Sequence, residues 1–349
     1  VKNRYSKIKR AWVRWTTWEY LPMWLSNLPV AGFYLWFALK ARHPLFFSAA
    51  NPAIPLGGAM GESKHDILQR LPEAVLPKMV LATPDMAFDD VLAAMQKTGL
   101  TFPLIAKPDV GERGFLVKKI RSAHELREHL SRYRVDFILQ ECILLPLEAS
   151  VLFILFPGQK SRFEITSVCI KEFLHVTGDG KNSLRQLVLN NERAAFQLER
   201  LEMEYAEQMD EVLSEGQALP LGTIGNHCLG TKFLNGNHLI DKHLTQAFEG
   251  ICRQIDGIHY GRFDLKCEDA EALKNGRIKV MELNGVLGEP AHVYDPSVGA
   301  WRAYRDFWRH WRLIFEVSQA NRKQGVNVAT LQEGRSQVRQ YFAYKKQLA

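Results

Sequence analysis

The sequence predicts an α+β fold with mixed sheets, on three observations. Strand-like and helix-like runs alternate from about residue 100 onward at irregular spacing, not as a βαβ repeat. Two runs, 148–156 and 163–175, alternate polar and apolar residues like an antiparallel pair. Hydrophobic residues fill 46% of the 349 positions, ample for a buried core in one large domain or two to three smaller ones.

Residues 1–45 read as an aromatic, basic and helical extension. Five of the eight tryptophans (Trp12, Trp15, Trp18, Trp24, Trp36) fall there, behind a run of Lys and Arg, and residues 20–39 carry no charge. Pro22, Ser26, Asn27, Pro29 and Gly32 break that stretch, leaving a continuous apolar run over 30–39 that is short for a membrane span. The broken run, the long basic lead and the lack of a small-x-small site argue against a signal peptide. Indole rings mixed with Lys and Arg suit the headgroup layer of an anionic membrane surface, reached through residues 1–42; packing on the protein body is the alternative.

Residues 46–100 open with the turn-rich SAANPAIPLGGAMGESKHD, followed by a helix from Glu62 or Ser63. Thr83, Pro84 and Asp85 read as the start of the next helix, Val91, Leu92 and Met95 as its apolar face, and Gly99 as its stop. Over 101–150, strands are expected at 104–107, 114–120 and 136–140, with a helix at 122–133. Over 151–318 come the antiparallel pair, a long charged helix at 191–214, a helix at 245–255 stopped by Gly257, and strands at 261–266 and 277–284. Residues 319–349 form a basic tail.

The net charge of +7 is concentrated at the ends: residues 1–42 carry +7 and residues 319–349 carry +5, leaving −5 between them. That distribution, with no helix-turn-helix, zinc-finger or RNP-like pattern, excludes a general nucleic-acid groove. The five cysteines, Cys142, Cys169, Cys228, Cys252 and Cys267, are odd in number and contain no C-x-x-C pair. Neither a disulfide framework nor a zinc site is indicated, and a cytoplasmic setting, peripheral on the inner membrane face, is expected.

Seven segments, in five groups, carry chemistry. In GRFDLK and KVMELNG, residues two apart on a strand share a face, so Arg262, Asp264 and Lys266 line up, as do Glu282 and Asn284. Oxygen ligands of this kind suit magnesium shared with nucleotide phosphates, with Arg262 on the transferring phosphoryl group; a surface salt-bridge ladder is the plainer alternative. IAKPDVGERG places Lys107 at a strand end before Gly111 and Gly114, able to offer an ammonium and backbone N–H groups to phosphates. FILQECILLPLEASV could serve as a nucleotide hinge, with Glu141 and Ile143 at the adenine edge and Glu148 on the ribose. IKEFLHVTGDGKNSL reads as a hairpin turn or as a lid that brings Lys171, His175 and Lys181 over a triphosphate. GTIGNHCLGT and NGVLGEPAHVYDP gather Asn226, His227, Glu289, His292, Tyr294 and Asp295 in loops suited to a substrate pocket.

In this order the segments resemble the ATP-grasp superfamily, and within it its D-alanine–D-alanine ligase-like and cyanophycin-synthetase-like members, over residues 60–297. The resemblance implies two α+β lobes clasping ATP: a small lobe over 101–150 and a large lobe with the metal and substrate site over 151–318. A much reduced pre-ATP-grasp region at 46–100 would stand in place of a Rossmann-like domain. It implies phosphate contacts from Lys107 and Lys171, and Mg²⁺, with Mn²⁺ as a substitute, on Asp264, Glu282 and Asn284. The implied reaction is ATP-dependent joining of a small-molecule carboxylate to an amine, an amino acid or peptide, through an acyl phosphate. Alanine at Asp264 or Glu282 is then expected to abolish turnover with the fold intact. The alternatives are an ATP-grasp kinase acting on a small-molecule hydroxyl and a membrane-associated ATP-binding protein without turnover.

Overall fold

A computed structural model describes residues 12, 18, 21, 23–111, 114–158, 162–222, 225 and 230–347. The helix α1 (Met23–Ala41) leads through 3-10 turns to α2 (Lys64–Leu68), whose cap is Ser63. A first lobe follows, with β1 (Met79–Ala82), α3 (Phe88–Thr98), β2 (Leu104–Pro108), β3 (Lys118–Ile120), α4 (Ala123–Arg132) and β4 (Phe137–Glu141). The second lobe begins with β5 (Leu147–Leu155), β6 (Phe163–Glu172) and β7 (His175–Thr177). Then come α5 (Leu184–Asn190), α6 (Glu192–Ala195), α7 (Leu198–Glu204), β8 (Ala218–Pro220) and β9 (Lys232–Asn235). The chain continues through α8 (Lys242–Cys252), β10 (Tyr260–Cys267), α9 (Ala270–Lys274), β11 (Ile278–Asn284), α10 (Ala300–Lys323) and α11 (Leu331–Gln347).

The chain is α+β, built as two α+β lobes, but its sheets are not mixed. The first has strand order β1-β4-β2-β3, the second β11-β10-β5-β6-β9, and β7 pairs with β8; every pairing among the described residues is antiparallel. The connections explain this. Only 268–277, with the five-residue α9, joins β10 to β11, whereas a parallel crossover takes a dozen residues or more.

Three local expectations change. The strand expected over 114–120 shortens to β3, because Gly114 and Leu116 adopt left-handed backbone (φ 74 and 55). The helix expected from Thr83 starts at Phe88, after a turn closed by Met86 N–H donating to Thr83 O at 3.1 Å. The long helix expected over 191–214 is broken: Asn191 ends α5 and caps α6, and the chain turns again after α7. The breaks let Leu184, Val188, Ala194, Leu201 and Met209 share one small core with Leu174 and Val176. The basic segment 319–347 completes α10 and forms α11, where Gln337 Nε2 donates to Gly61 O at 2.9 Å and Tyr344 packs against the first-lobe core.

Burial follows strand periodicity. In the second sheet Phe153, Phe263, Leu265 and Val280 turn to one face, where Leu244, Phe248 and Ile251 of α8 and Leu273 of α9 cover them. Each such side chain removed from water contributes about 1.5 to 3 kcal/mol. Alternate residues must then stand on the other face. In the first sheet Leu104, Ala106, Phe137 and Leu139 pack on Val91, Met95 and Leu126, leaving Lys107, Ile138 and Gln140 on the opposite side, also buried.

Two devices fix the loops around the second sheet. Buried Asn51 donates to Gly57 O (3.0 Å) and Tyr260 O (2.8 Å) and accepts from the His259 and Tyr260 N–H groups (both 2.9 Å), tying the segment before α2 to the start of β10. Gly58 and Gly285 cross backbone to backbone, so a Cβ on Gly58 would lie 2.8 Å from Gly285 Cα. Glycine at both places is what lets the turn after Asn284 seat there.

Candidate active site

Cross-strand register decides which side chains share the free face of the second sheet. Asp264 stands opposite Glu282 on one side and Ser150 on the other, Arg262 opposite Asn284 and Leu152, and Lys266 opposite Glu148, which in turn faces Lys171. The register shifts after Asp264, making Met281 the extra residue of a bulge on an edge strand. A bulged residue leaves the ladder, and the Met281 carbonyl accepts from Lys107 Nζ of the first lobe at 2.7 Å; Gln140 Oε1 accepts from the same ammonium at 3.1 Å. The bulge is thus where the two sheets meet.

Asp264 is the centre of the cluster. It accepts from Arg262 Nη2 (3.1 Å), Asn284 Nδ2 (2.9 Å) and Ser150 Oγ, and lies 3.4 Å from Lys171 Nζ. Burial would raise its pKa, but Arg262, Lys171 and the hydrogen bonds outweigh that and hold the carboxyl well below the usual carboxylate range. Lys171 lies 3.0 Å from Glu148, and Lys266 lies 3.7 Å from Glu148 while donating to Ile143 O at 3.2 Å. Burial alone would lower Lys171; Asp264 and Glu148 reverse that and raise it. Lys107, by contrast, is pushed down to about 8 by burial, against the pull of Glu282. Glu282 is the accessible carboxylate, its side chain 33% exposed, with Lys64 Nζ at 3.8 Å.

The remaining predicted residues divide. Ile143 and Glu148 reach the cluster through Lys266 and Lys171. Glu148 bridges these two lysines. Glu141 points elsewhere: its carboxylate accepts from Lys78 N–H (3.1 Å), and its own N–H donates to Lys78 O. Gly111 O accepts from Lys64 Nζ, and Gly114 sits in the turn before β3. The Glu289 carbonyl accepts from Arg262 Nη1 at 3.2 Å and its carboxylate from Tyr294 OH at 2.6 Å, so both adjoin the cluster. His292 faces inward instead, with Nδ1 at 2.8 Å from Ser167 Oγ and Nε2 at 3.1 Å from Asp306 of α10. It braces the loop; it does not line an open pocket. Asp295 accepts from Asn235 N–H at 2.6 Å. Lys181 sits in a turn where its N–H bonds Asp179, away from the cluster. Asn226 and His227 lie outside the described residues, although neighbouring Gly225 is so close to Glu148 and Lys171 that a Cβ there would collide with both.

Sequence reading missed Ser150 and Lys64. Ser150 is two residues from Glu148 on one strand, so period-2 alternation already put it on the face. Lys64 has no such signal, because only the tertiary fold carries α2 to β11. Cys169, opposite Ser150 on β6, is buried and its thiol pushed up to about 12, so it supplies no thiolate nucleophile.

Among the described residues no three His, Cys, Asp or Glu side chains gather into a self-sufficient metal site. Asp264, Glu282 and Asn284 offer two carboxylates and an amide. That donor set fits a hard ion that keeps water and brings phosphate oxygens as its other ligands, which is magnesium chemistry and is tolerated by manganese.

No family model and no curated protein matches the chain. Solved structures similar to it include the VanG D-Ala:D-Ser ligase from Enterococcus faecalis (15% identity, 73% of this chain and 61% of that one, TM-score 0.41). A D-alanine–D-alanine ligase from Bacillus anthracis overlaps at 16% identity over 75% of this chain and 68% of that one, TM-score 0.42. A bifunctional glutathione synthetase from Pasteurella multocida overlaps at 17% over 71% and 36%, TM-score 0.41. The chain therefore spans about three fifths of the first of these ligases. Overlaps this loose carry no argument about activity.

Proposed function

We propose that the chain is an ATP-grasp ligase that joins a carboxylate to an amine with ATP and Mg²⁺. The observation that carries this reading is the convergence of Lys107, Lys171 and Arg262 on Asp264 and Glu282 where the two sheets meet. Three cations brought together from separate strands of the two sheets suit a polyphosphate, and the accessible Glu282 beside them suits its metal. Mg²⁺, held by Asp264, Glu282 and Asn284, would neutralise phosphate charge. Arg262 and Lys171 would turn donors now held by Asp264 and Glu148 toward the γ-phosphate, and Lys107 would hold a phosphate oxygen from the first lobe. A substrate carboxylate oxygen then attacks the γ-phosphorus and ADP leaves; the amine attacks the resulting acyl phosphate, loses a proton and expels phosphate. Positioning and charge stabilisation carry both steps, with no side-chain nucleophile. Glu289 and Tyr294, next to Arg262, are the residues we assign to the amine or carboxylate substrate, together with the loop of Asn226 and His227.

The test is a screen of amino acids and peptides with ATP and MgCl₂, measuring ADP and phosphate separately. A ligase releases both in equal amounts and only when a carboxylate and an amine are present. ADP without phosphate makes the chain a kinase, and ATP binding with no turnover makes it a binding protein.

A pH dependence follows from Lys107. With its pKa near 8, the ammonium is present below that pH and lost above it, so ATP affinity should weaken as pH rises past 8, by roughly tenfold per unit well above it. Lys107→Arg, which stays charged, should flatten that limb. Identical pH profiles for the two proteins in ATP titrations would show that Lys107 does not hold the phosphates.

A further inference from the structure

The helix α1 is apolar on both sides, yet the described residues cover only one. Its inner face is built of Val30, Phe33, Tyr34, Phe37 and Ala41, and it docks on α10 through ring contacts of Phe33 and Phe37 with Trp308 and of Tyr34 with Trp311. Trp18 joins the same packing, donating Nε1–H to Val293 O at 3.1 Å. The outer face carries Trp24, Leu28, Leu35 and Leu39, at helical spacing, with Trp36 beside them; Trp24 is 65% and Leu39 76% exposed. A helix that is hydrophobic all round normally has all of its surface covered, and a contiguous exposed apolar stripe of this kind marks an interaction surface.

The charge next to the stripe identifies the occupant. On α10, Trp308 and Trp311 face α1, and Arg305, Arg309 and Arg312 follow on the solvent side of that contact line, with Trp301 exposed. Glu164 and Glu316 pair with Arg309 and Arg312 only at 3.6 and 3.5 Å, in exposed positions where such pairs hold weakly. Lys2, Arg4, Lys7, Lys9, Arg10 and Arg14 precede α1 in the chain. An apolar stripe carrying two indole rings, on a helix packed against one that exposes three arginines, complements a surface that is apolar inside and negative outside.

We infer that the outer face of α1, with the arginines of α10, seats the protein on an anionic lipid surface, α1 lying in the plane of the headgroups. The arrangement cannot be a span, since no described helix is long and apolar enough to cross a membrane, and the inner face of α1 is already committed to α10. This inference rests on the two helices alone and stands or falls independently of the ligase reading.

The test is co-sedimentation of the full chain with vesicles of phosphatidylcholine alone and of phosphatidylcholine mixed with phosphatidylglycerol, beside sedimentation equilibrium without lipid. Binding to the anionic vesicles only, weakened by salt, is expected. Leu35→Glu with Leu39→Glu should reduce the partition coefficient by roughly a hundredfold, and Arg305→Gln with Arg312→Gln by about tenfold. All four positions are exposed or rim positions, so the unfolding midpoint of each variant should match that of the parent, which separates lost binding from lost fold. No binding to anionic vesicles by the folded parent overturns the inference. So does a lipid-free dimer that Leu35→Glu with Leu39→Glu dissolves, which would make the occupant a second copy of the chain.

Discussion

Glu282→Gln is expected to reduce substrate-dependent ADP formation by a hundredfold or more while leaving the unfolding free energy within about 0.5 kcal/mol of the parent. The reason is its position. Glu282 projects from an edge strand, is one-third exposed, and has Lys64 at 3.8 Å as its ion-pair partner. Removing its charge leaves Lys64 bonded to the Gly111 carbonyl and Lys107 bonded to the Met281 carbonyl and Gln140, so the loss falls mainly on whatever Glu282 holds during turnover. If that is magnesium, half-saturation should also move to higher Mg²⁺ concentration, a change that a purely structural role would not produce. Unchanged turnover and unchanged magnesium dependence would remove Glu282 from the metal site.

Asp264→Ala should behave differently, and here the sequence-based expectation of an intact fold is replaced. Asp264 is the shared partner of Arg262, Lys171, Asn284 and Ser150. Lys171 keeps Glu148 at 3.0 Å, but Arg262, its side chain only 21% exposed, loses its carboxylate and keeps the Glu289 carbonyl. Leaving a buried charge unpaired costs about 3 to 5 kcal/mol, which should appear as a lower urea midpoint at neutral pH together with loss of activity. The pH dependence has a definite sign. The pKa of Asp264 is lower in the folded chain than in the unfolded one, so its contribution is fully present above the ordinary carboxylate pKa and fades as pH falls below it. The stability gap between parent and Asp264→Ala should therefore narrow in acid. A variant as stable as the parent at pH 7 would show that Arg262 finds another partner.

Because Asp264→Ala confounds fold and chemistry, Glu282→Gln read through its magnesium dependence is the better test of the metal reading. Nothing in the spacing of R-x-D and E-x-N distinguishes the two carboxylates. The distinction arises because Asp264 lies on a strand flanked on both sides, whereas Glu282 lies on the sheet edge.

Much of the second sheet was legible in advance. Strict alternation in GRFDLK puts Phe263 and Leu265 on one face and Arg262, Asp264 and Lys266 on the other, since a strand has period two and one face must meet α8. The same rule placed Glu282 with Asn284, and local chemistry placed the stop of α3 at Gly99 and the start of α4 to within one residue. Local propensity failed over 191–214, where charged, helix-forming residues read as one helix. Packing of Leu184, Leu201 and Met209 into a single small core required the chain to fold back instead.

What the sequence by itself determined is therefore the content of each face: which residues are apolar, which are charged, and in what order they come along the strands. What only the tertiary structure decided is which of those faces meet. The bulge at Met281 that receives Lys107, the approach of Lys64 to Glu282, the inward turn of His292 onto Ser167 and the docking of α1 on α10 all join residues far apart in the chain. Periodicity is a property of neighbours along a backbone and carries no information about such pairs. They are set by how antiparallel sheets and helices close over one another when the apolar surface is buried.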